Sequence, residues 1–188
     1  ATAALGDLGF VITTGSRYLG GFIGEDDVRQ DWLQDKLEDW EDSVKALALV
    51  AKKYPQSAYT GLQRSLQMKW QYVQRVTREC GDDFMAIEKA ISTIFLPALF
   101  DADIDEDDLV LQLACLPVKF AGLALPAPTT SAKLNYDASI QHTSHLTACF
   151  RGVDTFRTAD HSAVIQTNRA ELRARSSFRH SSRLDALL

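Results

Sequence analysis

Apolar residues recur at helical spacing along most of the chain. Between Val28 and Ala51 they are separated alternately by four and three positions, which predicts one helix face made of Leu33, Leu37, Trp40, Val44, Leu47 and Ala51. Pro55 ends this helix and suits the first turn of a second one. The second helix is expected to run to about Cys80, with an inner face of Tyr59, Leu62, Leu66, Trp70 and Val73.

Further helices are predicted in the rest of the chain. One follows Gly81-Asp82-Asp83 and reaches Pro97, and the run "EDDLVLQLACL" favours a short fourth helix. Three prolines within residues 116–131 indicate a packed loop. Two more helices are expected, from about Ala132 to Phe150 and from Ser162 towards the end.

The N-terminal residues follow a different pattern. Short β-prone runs between Phe10 and Ile23 flank Thr14-Gly15-Ser16, which predicts one hairpin with its turn at those three residues. The predicted fold class is therefore mainly α: a bundle of about five to six helices preceded by a short N-terminal β-hairpin.

Composition restricts the setting of this fold. A chain of 188 residues with 46% hydrophobic residues can bury one core. Its cysteines, Cys80, Cys115 and Cys149, are odd in number and far apart, which favours a reducing, intracellular location, nuclear or cytoplasmic. The longest apolar runs are too short to cross a bilayer, so no membrane partner is expected. Because the chain lacks an initial Met and opens abruptly on a strand, we expect it to be part of a longer polypeptide.

Charge is strongly segregated along the chain, although the net charge is only −5. Nine acidic residues lie between Glu25 and Asp42, against two basic ones. The next stretch, from Lys45 to Arg78, carries seven basic residues and no acid. An acid-free basic stretch in an acidic chain is typical of a surface that contacts a polyanion. The alternative is an ordinary solvated helix face, which more often mixes both signs of charge.

Helical geometry selects candidate contacts within this stretch. At about 100° per residue, Arg64, Arg75 and Arg78 fall within about 60° of one another on the outward face of the second helix, with Gln71 beside them. Such a row can follow the phosphates and sugars of a nucleic acid. The same acid-free stretch supplies two further candidates, Lys52 and Lys53.

Three short motifs resemble a phosphate loop, a calcium loop and a pair of catalytic metal-binding aspartates, in that order, but their chemistry or context excludes these functions. The glycines of "GGFIG" precede Glu25-Asp26-Asp27, whose charges would repel a phosphate. The acidic run from Asp101 lacks the Gly and the bidentate Glu that a calcium loop requires. The Gly-Asp-Asp at 81–83 lies between two predicted helices rather than on a hairpin, so Asp82 or Asp83 is expected to cap the following helix.

A possible zinc site is also excluded. His142, His145 and Cys149 share a helix face, but the first and last of them lie about 10 Å apart along the axis, too far to ligate one ion. A partly buried polar face is the better interpretation.

The succession of blocks along residues 7–150 resembles one family. A strand, a tight turn and "SRYLGGFIG", followed by a long helix with "WLQDKLEDW", resemble the segment after the catalytic palm strands in reverse transcriptases of non-LTR retrotransposons. The resemblance continues through "YPQSAYTGLQRSLQMKWQYVQR", "FLPALF" and "LPVKFAGLALPAP". Within the last block, Ala121 stands where the family's loop is expected to have a second glycine.

The resemblance implies a division of the chain into three parts. Residues 1–24 would form a primer-grip-like β-hairpin and residues 25–150 a thumb-like helical domain, while residues 151–188 form an Arg- and Ser-rich tail or helix outside the resemblance. The implied nucleic-acid contacts of the hairpin are Arg17, Tyr18, Leu19, Gly20 and Gly21. Glycines suit this role because a backbone without Cβ lets a primer strand approach closely. The rival interpretation is that they serve packing at a hairpin corner.

The resemblance also implies the partners: an RNA/DNA or RNA duplex, and the upstream palm and fingers of the same polypeptide. The chain has no aromatic-x-Asp-Asp on a plausible hairpin, so by itself it is expected to be no enzyme and to need no cofactor. Mg²⁺ would bind in the palm of the parent RNA-directed DNA polymerase. The competing hypothesis is a non-enzymatic helical interaction module, in which the stripe from Leu33 to Ala51 docks a protein partner.

Overall fold

The computed structural model describes residues 12–104 and 109–187. Within these residues a two-stranded antiparallel hairpin precedes six helices, which confirms the predicted fold class. The strands are β1 (Gly15–Tyr18) and β2 (Gly21–Gly24). The helices are α1 (Asp26–Ala51), α2 (Pro55–Gly61, Leu62–Leu66 and Gln67–Val76 in one run), α3 (Met85–Ala90, Ile91–Phe95 and Leu96–Phe100 in one run), α4 (Leu109–Ala114), α5 (Pro128–Phe150) and α6 (Thr158–Leu187).

The hairpin turns at a different place from the one predicted. Thr14-Gly15-Ser16 is not the turn, because Gly15 begins β1; the predicted strand residues before Ile12 lie outside the described residues. Tyr18 pairs with Gly21, so the two-residue turn is Leu19-Gly20. Both turn residues have positive φ, 48° and 83°, as a type I′ turn requires. Leucine is an unusual choice there, which is why the sequence signal was missed.

Helix α1 is the central element of the core. Asp26 and Asp27 in its first turn complement the helix dipole. Its buried face is Leu33, Leu37, Trp40, Val44, Ala48 and Ala51, as predicted except that Ala48 is more buried than Leu47. This stripe packs against α2 and α3 of the same chain. It is therefore not available to dock another protein, and the docking face of the interaction-module hypothesis was wrong.

Helices α2 and α3 each contain one π-helical turn, at Leu62–Leu66 and Ile91–Phe95. In α3 this wide turn precedes Pro97, whose missing N–H cannot pair with the carbonyl four residues before it. Helix α2 keeps its predicted inner face, with Leu62, Leu66, Trp70 and Val73 buried. It ends at Val76, four residues earlier than predicted, because Thr77 is extended.

A buried amide joins α2 to α5. Gln74 is fully buried, and its Nε2 donates to the Pro128 carbonyl at 2.9 Å. Its Oε1 accepts hydrogen bonds from the Ser131 hydroxyl at 3.2 Å and from the Asn135 amide at 2.8 Å. Every polar atom of this side chain is thus paired, as burial demands.

The segment between α4 and α5 is the packed loop that its prolines predicted. Leu116 and Leu125 are buried in it, and Val118–Phe120 forms one 3-10 turn. The Tyr59 hydroxyl of α2 donates to the Leu123 carbonyl at 2.7 Å. These contacts hold the loop against the core.

Asp82 and Asp83 do lie between two helices, but the predicted cap was wrong. Neither side chain makes a capping hydrogen bond to the start of α3. Asp83 instead accepts a hydrogen bond from Gln30 of α1 at 2.6 Å, which joins α1 to the 3-10 turn Asp82–Phe84 before α3.

Residues 151–187 are largely helical. Helix α6 begins at Thr158 and packs along α5, where the Asn168 amide donates to the Gln141 carbonyl at 3.0 Å. No helix in the described part of the chain is long and apolar enough to span a bilayer.

Candidate nucleic-acid interface

The hairpin is docked on the helices by aromatic side chains. Phe22 of β2 stacks on Trp32 of α1, with ring centroids 5.7 Å apart. The Tyr72 hydroxyl of α2 donates a hydrogen bond to the Leu19 carbonyl at the tip of the turn. The tip is thereby fixed beside the C-terminal end of α2.

Packing accounts for both glycines of the proposed grip. A Cβ at Gly20 would lie 3.1 Å from the Tyr72 ring, and the φ of 83° favours glycine in any case. A Cβ at Gly21 would lie 3.1 Å from Val76, and Gly21 is buried. The rival interpretation, glycines for packing at a hairpin corner, is therefore sufficient here. Gly21 is out of reach of a bound strand while the hairpin stays docked.

An open cavity of about 590 Å³ lies where the hairpin tip meets α1 and α2, and it is lined by Gly20, Lys36, Asp39, Trp40, Ser43, Lys69, Tyr72 and Val73. The Lys36 ammonium lies 3.7 Å from the Asp39 carboxylate. Lys69 makes no ion pair with any described residue. Of the two lysines that line this cavity, Lys36 is therefore paired with an acid and Lys69 is not. Sequence reasoning counted Lys69 among the seven basic residues but did not select it.

Helix α2 carries further polar side chains. Arg64 and Arg75 are exposed, Gln71 is half-buried, and Tyr72, which lines the cavity, is exposed. The π turn at Leu62–Leu66 contains Arg64, so the uniform 100° per residue of the prediction does not apply between Arg64 and Arg75. Neither arginine is paired with an acid in the part of the chain that the structure describes. Arg64 lies within the π turn, a rare element that occurs frequently at functional sites.

Arg17 and Tyr18 are exposed at the end of β1, next to the docked turn. Arg17 has no ion-pair partner among residues 12–104 and 109–187. We call Arg17, Tyr18, Arg64, Lys69, Tyr72 and Arg75 the basic surface. Aromatic and cationic side chains in one place can stack on bases and neutralise phosphates.

Arg78 does not belong to the predicted row. It follows the end of α2, so the helical angle that placed it beside Arg64 and Arg75 does not apply. Its Nη2 lies 3.0 Å from a carboxylate oxygen of Glu79, and its Nε donates to the same oxygen at 3.1 Å. The acid that neutralises it is the first residue beyond the acid-free stretch.

The other lysines of the stretch also lie apart from the basic surface. Lys52 lines a separate cavity of about 420 Å³ that includes Asp101 and Asp103. The Lys53 ammonium lies 5.2 Å from the centre of the Tyr54 ring. Lys45 pairs with Glu41 and Asp42, and these hydrogen bonds raise the pKa of its ammonium above the usual value.

The polar face of α5 is partly buried, as predicted. The His145 Nε2 lies 3.7 Å from the Cys149 sulfur, its Nδ1 lies 3.5 Å from the Asp154 carboxylate, and its ring stacks on His161. Among the described residues, no three or more His, Cys, Asp or Glu side chains are placed to hold a metal ion.

No protein-family model, curated protein or solved structure matches the chain.

Proposed function

We propose that the chain is the thumb-like segment of a retrotransposon-type RNA-directed DNA polymerase, and that it holds the primer/template duplex on the basic surface. The observation that carries the proposal is the docking of the hairpin tip onto the acid-free face of α2. It brings residues from two distant parts of the sequence to the lining of one cavity, to which Gly20 and Lys69 both contribute.

Electrostatics supports this choice of surface. The chain has a net charge of −5, and four of the seven basic residues between Lys45 and Arg78 are offset by acids or lie elsewhere. Arg64, Lys69 and Arg75 are not offset and share α2. A duplex carries closely spaced phosphates, so unpaired cations along a helix give it a favourable track.

The packed loop gives a second support. Ala121 has a φ of 61°, in the left-handed region where glycine is preferred. This is the position at which the resemblance leads us to expect a glycine. The local backbone thus agrees with the family's expected residue even though the side chain does not.

In this proposal the chain binds and orients nucleic acid and does not catalyse by itself. Phosphoryl transfer would take place in an upstream palm of the same polypeptide, where paired carboxylates would hold Mg²⁺. The setting would be intracellular, nuclear or cytoplasmic.

Salt-dependent binding tests the proposal. The affinity of the purified chain for a labelled RNA/DNA duplex is measured by fluorescence anisotropy over a range of salt concentrations. The double variant Arg64→Gln/Arg75→Gln should flatten the slope of log affinity against log salt by about 1.8, since each lost phosphate contact contributes about 0.9. The loss should be similar for unrelated sequences, because phosphate contacts carry no sequence information.

Arg78→Gln is the matched control. It removes the same charge from the same stretch, but from a side chain already paired with Glu79. It should leave the slope nearly unchanged. If the control weakens binding as much as the double variant does, only the net charge of the chain matters. If the double variant binds with unchanged affinity and slope, the basic surface is not where the duplex binds.

A further inference from the structure

A groove without acidic residues in its lining lies between α6 and the loop that contains Val118–Phe120. Its volume is about 600 Å³, and it is lined by Pro117, Lys119, Leu172, Arg173, Ala174, Ser176, Ser177 and His180. None of these eight residues is a carboxylate. We call it the α6 groove.

The charges of the α6 groove are not neutralised within it. Neither Lys119 nor Arg173 forms an ion pair with a residue that the structure describes. The Lys119 ammonium lies 4.7 Å from the centre of the Phe120 ring, a cation–π contact that leaves its charge unneutralised. The neighbouring Arg175 differs, since it lies 3.9 Å from Glu171.

Hydroxyl and imidazole groups complete the lining. The Ser176 hydroxyl lies 3.3 Å from the His180 Nδ1, and the His180 ring lies 6.3 Å from the Phe120 ring of the loop. Two cations with two serine hydroxyls are the donors that commonly bind phosphate oxygens.

The sequence around both walls shows the same bias. Residues 109–136 contain two lysines and no acid, and residues 172–184 contain four arginines and no acid. Residues from two acid-free segments, distant in sequence, line one groove in a chain with 25 acidic residues. Chance mixing of charges does not favour this arrangement.

We propose that the α6 groove binds the phosphates of a single nucleic-acid strand. A groove of this volume, between one helix and one loop, admits a strand segment rather than the broad surface of a duplex. This site is separate from the basic surface and does not rest on its role. If both are correct, the chain contacts a duplex with α2 and an unpaired strand with α6.

The test uses fluorescein-labelled oligo(dT) and oligo(U) of twelve nucleotides and the purified chain. Lys119→Gln/Arg173→Gln should lower the affinity for both by about tenfold at low salt and flatten the salt slope by about 1.4, near 0.7 per lost contact of a single strand. Its affinity for the RNA/DNA duplex should stay unchanged. Arg175→Gln, on the same helix but paired with Glu171, should leave single-strand binding unchanged.

A second variant guards against a folding defect. Ser176→Asp keeps a hydrogen-bond acceptor beside His180 but places a negative charge in the groove, and it should weaken single-strand binding by the same order. Circular dichroism and thermal melting check that both variants keep the fold. Inorganic phosphate serves as a competitor.

Three results would overturn the proposal. They are single-strand affinity that survives both groove variants, an equal loss in Arg175→Gln, and full competition by millimolar phosphate, which would indicate a small-anion site. Failure of duplex binding in every variant would instead count against the basic surface and leave the α6 groove standing.

Discussion

Leu19 sits in a backbone conformation that its side chain disfavours, and relieving it should stabilise the chain. Its φ is 48° at the first central position of the turn, and the residue is 78% exposed. The left-handed conformation costs an L-residue other than Gly, Asn or Asp roughly 1–2 kcal/mol. Leu19→Asn removes little buried apolar area, so the free energy of unfolding should rise by about 1 kcal/mol. For a chain of this length the melting temperature should rise by about 2–4 °C.

Urea unfolding and thermal melting measure this change, and Leu19→Ala is the matched control. Alanine also removes the exposed leucine side chain but has no preference for the left-handed region, so it should give no gain. Hydrogen exchange of the hairpin amides reports the same effect locally, in case the hairpin opens without the helices. Should Leu19→Asn match Leu19→Ala in both stability and amide protection, the reasoning about strain at this turn is refuted.

Other consequences of the structure can be tested by unfolding experiments. Gln74→Leu should lower the free energy of unfolding by about 2 kcal/mol, because it leaves the hydrogen-bonding partners of Gln74 on α5 unpaired. The control Gln56→Leu changes an exposed glutamine and should not lower it. Equal effects of the two substitutions in urea unfolding would contradict this. Ala121→Gly should raise the free energy of unfolding by about 0.5 kcal/mol, which thermal melting would show as a slightly higher melting temperature. Ala86→Gly in α3 should instead lower the melting temperature. Burial raises the pKa of the Cys80 thiol from 9.0 to about 11, so the folded state should lose stability as pH rises from 9 to 11. Urea unfolding at both pH values should show that Cys80→Ala loses less free energy of unfolding between pH 9 and pH 11 than the unchanged chain. An identical loss would exclude the Cys80 thiol as its cause.

Hydrophobic periodicity predicted most of the fold because the helices bury one face each. Leu33, Leu37, Trp40 and Val44 were placed correctly from spacing alone. The hairpin turn was not, since Leu19-Gly20 lacks the Asn or Asp that marks a type I′ turn. Periodicity also gave no sign of the π turns, because a spacing of four residues fits both kinds of helix.

The candidate site was less predictable from the sequence because it depends on where α2 ends and on what lies beside each charge. The sequence gives the charge of Arg78 but not the extended backbone at Thr77 that removes it from the helix. The window of acid-free residues ended just before Glu79, which neutralises it. Lys69 could not be selected from the sequence, because the cavity that it lines forms only when the hairpin packs against α2. The hairpin and this part of α2 are about fifty positions apart in the sequence.

The π turn of α2 also bears on which changes in chain length this helix can accept. A π turn accommodates one residue more than an α-helical turn, so the faces before and after it stay in register. Deleting Ser65 should convert Leu62–Leu66 to ordinary α-helix while Ala58 and Trp70 remain in the core. A deletion elsewhere in α2 would rotate the following residues by about 100° and expose Val73. Length variation among related chains would therefore be tolerated at this turn and selected against in the rest of the helix.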